Sequence, residues 1–214
     1  MRQQVSKSSR AFALLAVCIA SSASCGDAIQ GRSPAYLTIN SLLGAAGVTP
    51  QAFSGVLASD VVTFVKKTVS GQQVDVPTVF EDNGQVTLTA ALKNQGSGGT
   101  TAAPTPVNAI TVDRYHVKFV RADGRNVAGV DVPFDFDGSV TGTVSPGGTT
   151  TFAFTLVRLQ AKVEPPLGSL VGNGGAIVIS TIAEVTFYGH DQAGNAVSVT
   201  GKISINFSDW GDPG

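Results

Sequence analysis

Cysteine is almost missing from this chain. Its two copies, Cys18 and Cys25, both fall within the first 25 residues, so everything downstream is thiol-free. That excludes a disulfide framework and a cysteine-based zinc site. Histidine is equally scarce. His116 and His190 stand apart, with no His-Glu-x-x-His and no Gly-x-Ser-x-Gly pattern near them. The sequence therefore marks neither a zinc protease nor a serine-hydrolase elbow. Charged residues are only 14% of the chain and form no basic cluster, which speaks against nucleic acid as a partner. Gly-rich Val171–Gly175 lacks the strand–helix context of a phosphate-binding loop and reads as a flexible loop. Long apolar runs are lacking too. Ala11–Ala20 is about half the ~20 residues that a membrane-spanning helix needs, and no longer run follows.

What is present begins with export. Arg2, Lys7 and Arg10 precede the apolar run, and the small residues Ser21–Ser24 follow it. This is the layout of a secretory signal peptide over residues 1–24. Ala23–Ser24–Cys25 resembles the lipobox of bacterial lipoproteins, with Ser22 standing where that family has an aliphatic residue. The resemblance implies a lipid on Cys25, a polar tether over residues 25–34 and a membrane as partner. It implies a bacterial envelope location on the outer membrane, with ordinary cleavage after Ala23 and secretion as the alternative. Cys18 is disfavoured because Val17 is too bulky for the position before it. Without residues 1–24 the chain keeps 11 Lys and Arg against 15 Asp and Glu, a mildly acidic balance.

From Ala35 onward the pattern is β. Alternation predicts strands over Ala35–Ser41, Val61–Val65, Gln85–Lys93, Ala109–Arg121, Val130–Asp137, Ser139–Val144 and Thr149–Val163. Two more form a closing hairpin around Asp191–Asn195, with Ile177, Ile179, Val185 and Phe187 facing Val197, Val199, Ile203, Ile205 and Phe207. In Ala109–Arg121 the apolar set changes phase, from Ile110 and Val112 to Tyr115, Val117 and Phe119, which calls for a bulge near Asp113–Arg114. A second phase shift is expected within Thr149–Val163. Pro133 places Val130–Asp137 at a sheet edge. Leu42–Pro50, Ser70–Pro77 and Glu81–Gly84 read as turns, with a short helix as an option near Gln51–Leu57. Asn94–Asn108 reads as a low-complexity loop, and Leu167–Val171 as a helical turn.

The closing hairpin, Val185–Phe207 with its Asp-x-x-Gly-Asn turn, is similar to that of bacterial immunoglobulin-like modules. The resemblance implies an all-β, antiparallel immunoglobulin-like β-sandwich of about 7–9 strands over residues 35–214. It carries no catalytic residue with it. Arg114, His116 and Lys118 share one strand face, and Asp131, Asp135 and Asp137 share another. Cross-strand ion pairing is the expected use of both. Arg114 and Lys118 are the candidate anion-binding pair. Asp131, Asp135 and Asp137, next to Gly138, are the candidate calcium ligands, off the EF-hand spacing; otherwise no cofactor is expected. Trp210 either caps the sandwich or serves as an exposed anchor. The functional expectation is a lipid-anchored, non-enzymatic domain that binds a protein or carbohydrate or plays a structural part. The alternatives are a subunit of a surface assembly formed by strand exchange and a hydrolase on a sandwich scaffold.

Overall fold

The computed structural model describes residues 32–93 and 105–211. Cys25 and most of the Asn94–Asn108 loop lie outside them. The elements, in order, are β1 (Ala35–Ala45), β2 (Val56–Asp60), β3 (Thr63–Val69), β4 (Gln72–Thr78), β5 (Asp82–Leu92), β6 (Ile110–Val120), β7 (Phe136–Val144), β8 (Thr149–Val157), α1 (Leu159–Val163), β9 (Ile179–Asp191) and β10 (Ala196–Ser208). One sheet has the order β1-β5-β8 and the other β2-β10-β9-β6-β7, while β3 and β4 form a separate hairpin.

The two sheets bury the alternating faces that the sequence marks. Val86, Leu88 and Ala90 of β5 are fully buried, as are Val185 and Phe187 of β9 and Ile205 and Phe207 of β10. Aromatic rings bridge the layers. Phe154 of β8 packs edge-on to Tyr115 of β6 at 5.1 Å and to Phe187 at 5.2 Å. The Tyr115 hydroxyl reaches across to accept the Thr155 N–H at 3.1 Å, so its polar end is satisfied inside the core. Outer faces carry threonine pairs that hydrogen-bond from strand to strand, such as Thr87–Thr151 at 3.1 Å and Thr186–Thr200 at 2.8 Å.

The phase change in β6 is resolved as expected. Pairing to both neighbours shifts between Val112 and Arg114, so Asp113 is the bulged residue. Ile110, Val112, Tyr115, Val117 and Phe119 then all point inward and are buried. A 3-10 turn at Leu167–Leu170 meets the helical turn read at Leu167–Val171.

Several expectations are corrected. The first strand runs to Ala45, with a register shift between Ile39 and Ser41, instead of turning at Leu42. No helix forms near Gln51–Leu57; Ser54 bridges to Gly44 there. Val61–Val65 is not one strand, because the chain bends at Val61 between β2 and β3 and buries that side chain. Ser70–Pro77 is mostly strand. Ser70 and Gly71, at φ 52° and 82°, make the turn into β4. Glu81–Gly84 opens β5 instead of turning. Val130–Asp137 is not a strand. The Asp131 carboxylate accepts the Val127 N–H and closes a turn, leaving Val130 67% and Phe134 50% exposed. The edge strand starts at Phe136 instead. The second phase shift is a helix, since β8 ends at Val157 and α1 turns Leu159 and Val163 outward. β9 begins at Ile179, leaving Ile177 half exposed. Among the described strands, pairing is antiparallel except at β2, which lies parallel to β10.

The layout gives the sandwich two distinct ends. β1 and β6 start, and the β9–β10 turn sits, at the end where Ser33 leads into β1. β2 and β10 finish at the far end, where α1 and Trp210 lie close to Asp60.

Candidate functional site

At the end where β1 starts is a cavity of about 320 Å³, lined from the start of β1, Lys93 just past the end of β5, the bulge of β6 and the two strands of the closing hairpin. The bulge builds it. Asp113 is displaced from the ladder, and its Oδ2 lies 3.3 Å from His190 Nδ1 on β9. Arg114 follows, with its guanidinium carbon 4.0 Å above the Tyr188 ring. Gly189 sits between Tyr188 and His190 and pairs with Val112. A Cβ there would fall 2.1 Å from the Thr111 carbonyl oxygen, so only glycine lets β9 approach the bulged strand this closely.

The turn behind the cavity is held by Asp191, whose Oδ1 accepts the N–H groups of Ala193 and Asn195, each at 2.9 Å. Burial alone would raise this carboxyl. The Asn195 hydrogen bonds, with help from the Ser33 hydroxyl and the Ala193 N–H, outweigh it and hold the group below its ordinary value. Ser33 thereby fastens the entry of the chain to the closing hairpin, and it too lines the cavity.

No family model, curated protein or solved structure matches this chain. The function must therefore be read from the site itself.

Of the residues marked in the sequence, Arg114 lines the cavity and Lys118 does not. Lys118 stands further along β6, opposite Glu184. The candidate calcium ligands are drawn apart. Asp131 is spent on the Val127 N–H, and Asp135 accepts the Phe119 N–H at 3.4 Å. Asp137 lies 3.2 Å from His116 Nδ1 and 4.0 Å from Arg114 Nη1. The cross-strand pairing expected of the two charged faces is thus realised at Asp137, while Asp131 and Asp135 fall off the ladder. Among the described residues no three His, Cys, Asp or Glu side chains group to hold a metal. Beside the first cavity, Thr105, Thr111, Thr143, Ser145 and Gln192 border a second, of about 550 Å³, whose lining is uncharged.

The far end holds a polar network that the sequence did not mark. Lys162 of α1 is 2% exposed, and its Nζ donates to Asp82 Oδ1 at 2.7 Å and to the Asp60 carbonyl at 2.8 Å. The Ser59 hydroxyl donates to the other Asp82 oxygen at 2.5 Å, and Gly47 N–H to Oδ1 at 3.2 Å. Asp60 in turn accepts from the Trp210 N–H and the Thr63 hydroxyl. This network ties α1, β2, β5 and the C-terminal segment together.

Burial raises the Asp60 carboxyl above its ordinary value, against the Trp210 and Thr63 hydrogen bonds, and nearby Asp209 adds to the rise. An acid raised in this way keeps its proton in the folded chain over a pH range where the unfolded chain has lost it. Stability then falls as pH climbs from the ordinary value of 3.8 through the raised one. Asp60→Asn is expected to remove this contribution. Urea midpoints measured across about pH 4–6 check it, and identical slopes in the two proteins would count against it.

Proposed function

We propose that this chain is an exported, lipid-anchored, non-enzymatic immunoglobulin-like domain that binds a small ligand in the cavity at the end where β1 starts. The cavity carries the binding part of this reading. It is concave, built on strands, and combines the apolar Ala35, Ala196 and Val197 with Lys93, Asp113, Arg114 and His190 in its lining.

The immunoglobulin-like part rests on strand order. The first, fifth and eighth strands make one sheet, and the sixth, ninth and tenth lie together in the other, as the A-B-E and C-F-G strands do in that architecture. The chain's first strands are split between the sheets, with β1 on β5 and β2 alongside the last strand. Tyr115, on the strand corresponding to C, fills the central aromatic position that a tryptophan holds in antibody domains. The β3–β4 hairpin is an insertion into that plan.

The anchor rests on Cys25, the last cysteine, which precedes β1 by a tether of about ten residues. Intact-mass analysis of protein purified from membranes is expected to show a diacyl or triacyl modification on Cys25. Cys25→Ser is expected to move the protein to the soluble fraction. A free N-terminus at Ser24 on membrane-purified protein would overturn the anchor. Assembly by donation of the first strand is less favoured, since β1 is paired with β5 of its own chain along its length.

A further inference from the structure

The lining of the cavity at the start of β1 points to one class of ligand. We propose that it binds a single sugar ring bearing one carboxylate, a uronic-acid type of ligand, with Arg114 on the carboxylate and Asp113, His190 and Ser198 on the ring hydroxyls. This rests on the binding reading above and specifies the ligand of that same site.

Size comes first. A volume of about 320 Å³ lies at the small end of the ~300–1,000 Å³ range of ligand pockets. That is room for one ring with its immediate waters.

Charge comes second. Arg114 lies over the Tyr188 ring, with its guanidinium carbon 4.0 Å from the ring centre. That contact holds the side chain at the cavity, and a guanidinium matches a planar oxyanion in two parallel hydrogen bonds. Its ion pair with Asp137 is long, 4.0 Å from Nη1 to Oδ1, beyond hydrogen-bond distance, so that pair leaves the guanidinium's hydrogen bonds to a ligand. The same cavity contains the Asp113 carboxylate and the Lys93 side chain, which has a partner of its own. The Asp113 carboxylate accepts from sugar hydroxyls and repels a second negative charge, so a monoanion with hydroxyls fits where a phosphate dianion does not.

Polar partners come third. The His190 ring is set by Asp113 at 3.3 Å, and the exposed Ser198 hydroxyl stands on the adjoining strand. Together they add donors and acceptors to the lining. Ala35, Ala196 and Val197, also in the lining, suit the C–H face of a ring.

The core residues among those described lie between Ala35 and Phe207, so a soluble chain of residues 26–214 retains that core. Titrating it with glucuronate, glucose and inorganic phosphate, followed by NMR or calorimetry, tests the proposal. Glucuronate is expected to bind saturably in the millimolar range or tighter. Glucose is expected to bind about tenfold or more weakly, since it forfeits a charge-assisted hydrogen-bond pair. Arg114→Gln is expected to bring glucuronate down to the glucose level. Lys118→Gln, on the same strand outside the cavity, is expected to change nothing. Absence of saturable glucuronate binding, equal binding of glucose, tighter binding of phosphate, or indifference to Arg114→Gln would each overturn it. The mass of Cys25 reads the anchor separately, so the ligand and the anchor fail independently.

Discussion

Lys162→Met is expected to lower the unfolding free energy by about 3–5 kcal/mol, the usual cost of stripping one partner from a buried ion pair. For a domain of this size that corresponds to roughly 6–20 °C in melting temperature. The loss comes less from the pair's own attraction than from what remains. Asp82 is 0% exposed, and without Lys162 it keeps only the Ser59 hydroxyl and the Gly47 N–H to offset its burial. Burial already pushes this carboxyl upward, with Lys162 the main opposing influence. Removing both charges together, as Lys162→Met with Asp82→Leu, is expected to recover most of the loss, because an apolar pair of similar volume leaves nothing unpaired. Thermal and urea unfolding of the two variants provide the check. A single variant that costs less than about 1 kcal/mol would show that Asp82 finds solvent.

Phe187→Ala is the second large effect, expected at about 3–5 kcal/mol. Phe187 is fully buried, and its ring meets Phe154 edge-on at 5.2 Å and Tyr115 at 6.3 Å. Truncation leaves a cavity in the middle of the sandwich that strands on two sides cannot close. Val127→Ala, at an exposed turn position, is the comparison and should stay within about 0.5 kcal/mol. Urea midpoints separate the two, and equal effects would contradict the placement of the core.

These two residues also mark what the sequence could and could not convey. Phe187 was legible because its partners are periodic. Alternation along Val185–Phe187 and Ile203–Phe207 states which face is inward, whatever lies across from it. The Asp113 bulge was legible for the same reason, since a switch of apolar phase within one strand has one economical solution. Lys162 was not legible. In the run Leu159–Val163 it occupies a position that ordinary alternation leaves to solvent. It is buried only because Asp82, 80 positions away, supplies a carboxylate.

Val130–Asp137 misled for the opposite reason. Its alternation is clean, but Pro133 offers no N–H to a ladder, and the Asp131 side chain captures the Val127 N–H to make a turn. β4 was hidden because its residues, Val74 included, are mostly exposed on both sides, with no buried face to set a period. At the candidate site, Arg114 stood out as a charge on a strand face. Its neighbours in the cavity come from β1, β9 and β10, and only folding brings them together.

The arrangement of the terminal strands has a mechanical consequence. β1 begins at one end of the sandwich and β10 finishes at the other, and each is hydrogen-bonded lengthwise to a neighbour. Tension between residues 32 and 211 therefore pulls both strands along their own axes. Neither can peel away one bond at a time; β1 must slide against β5, and β10 against β9 and the parallel β2 together. A domain held at its first residues and gripped at its far end is in this way loaded in shear, the direction in which a β-sheet yields last.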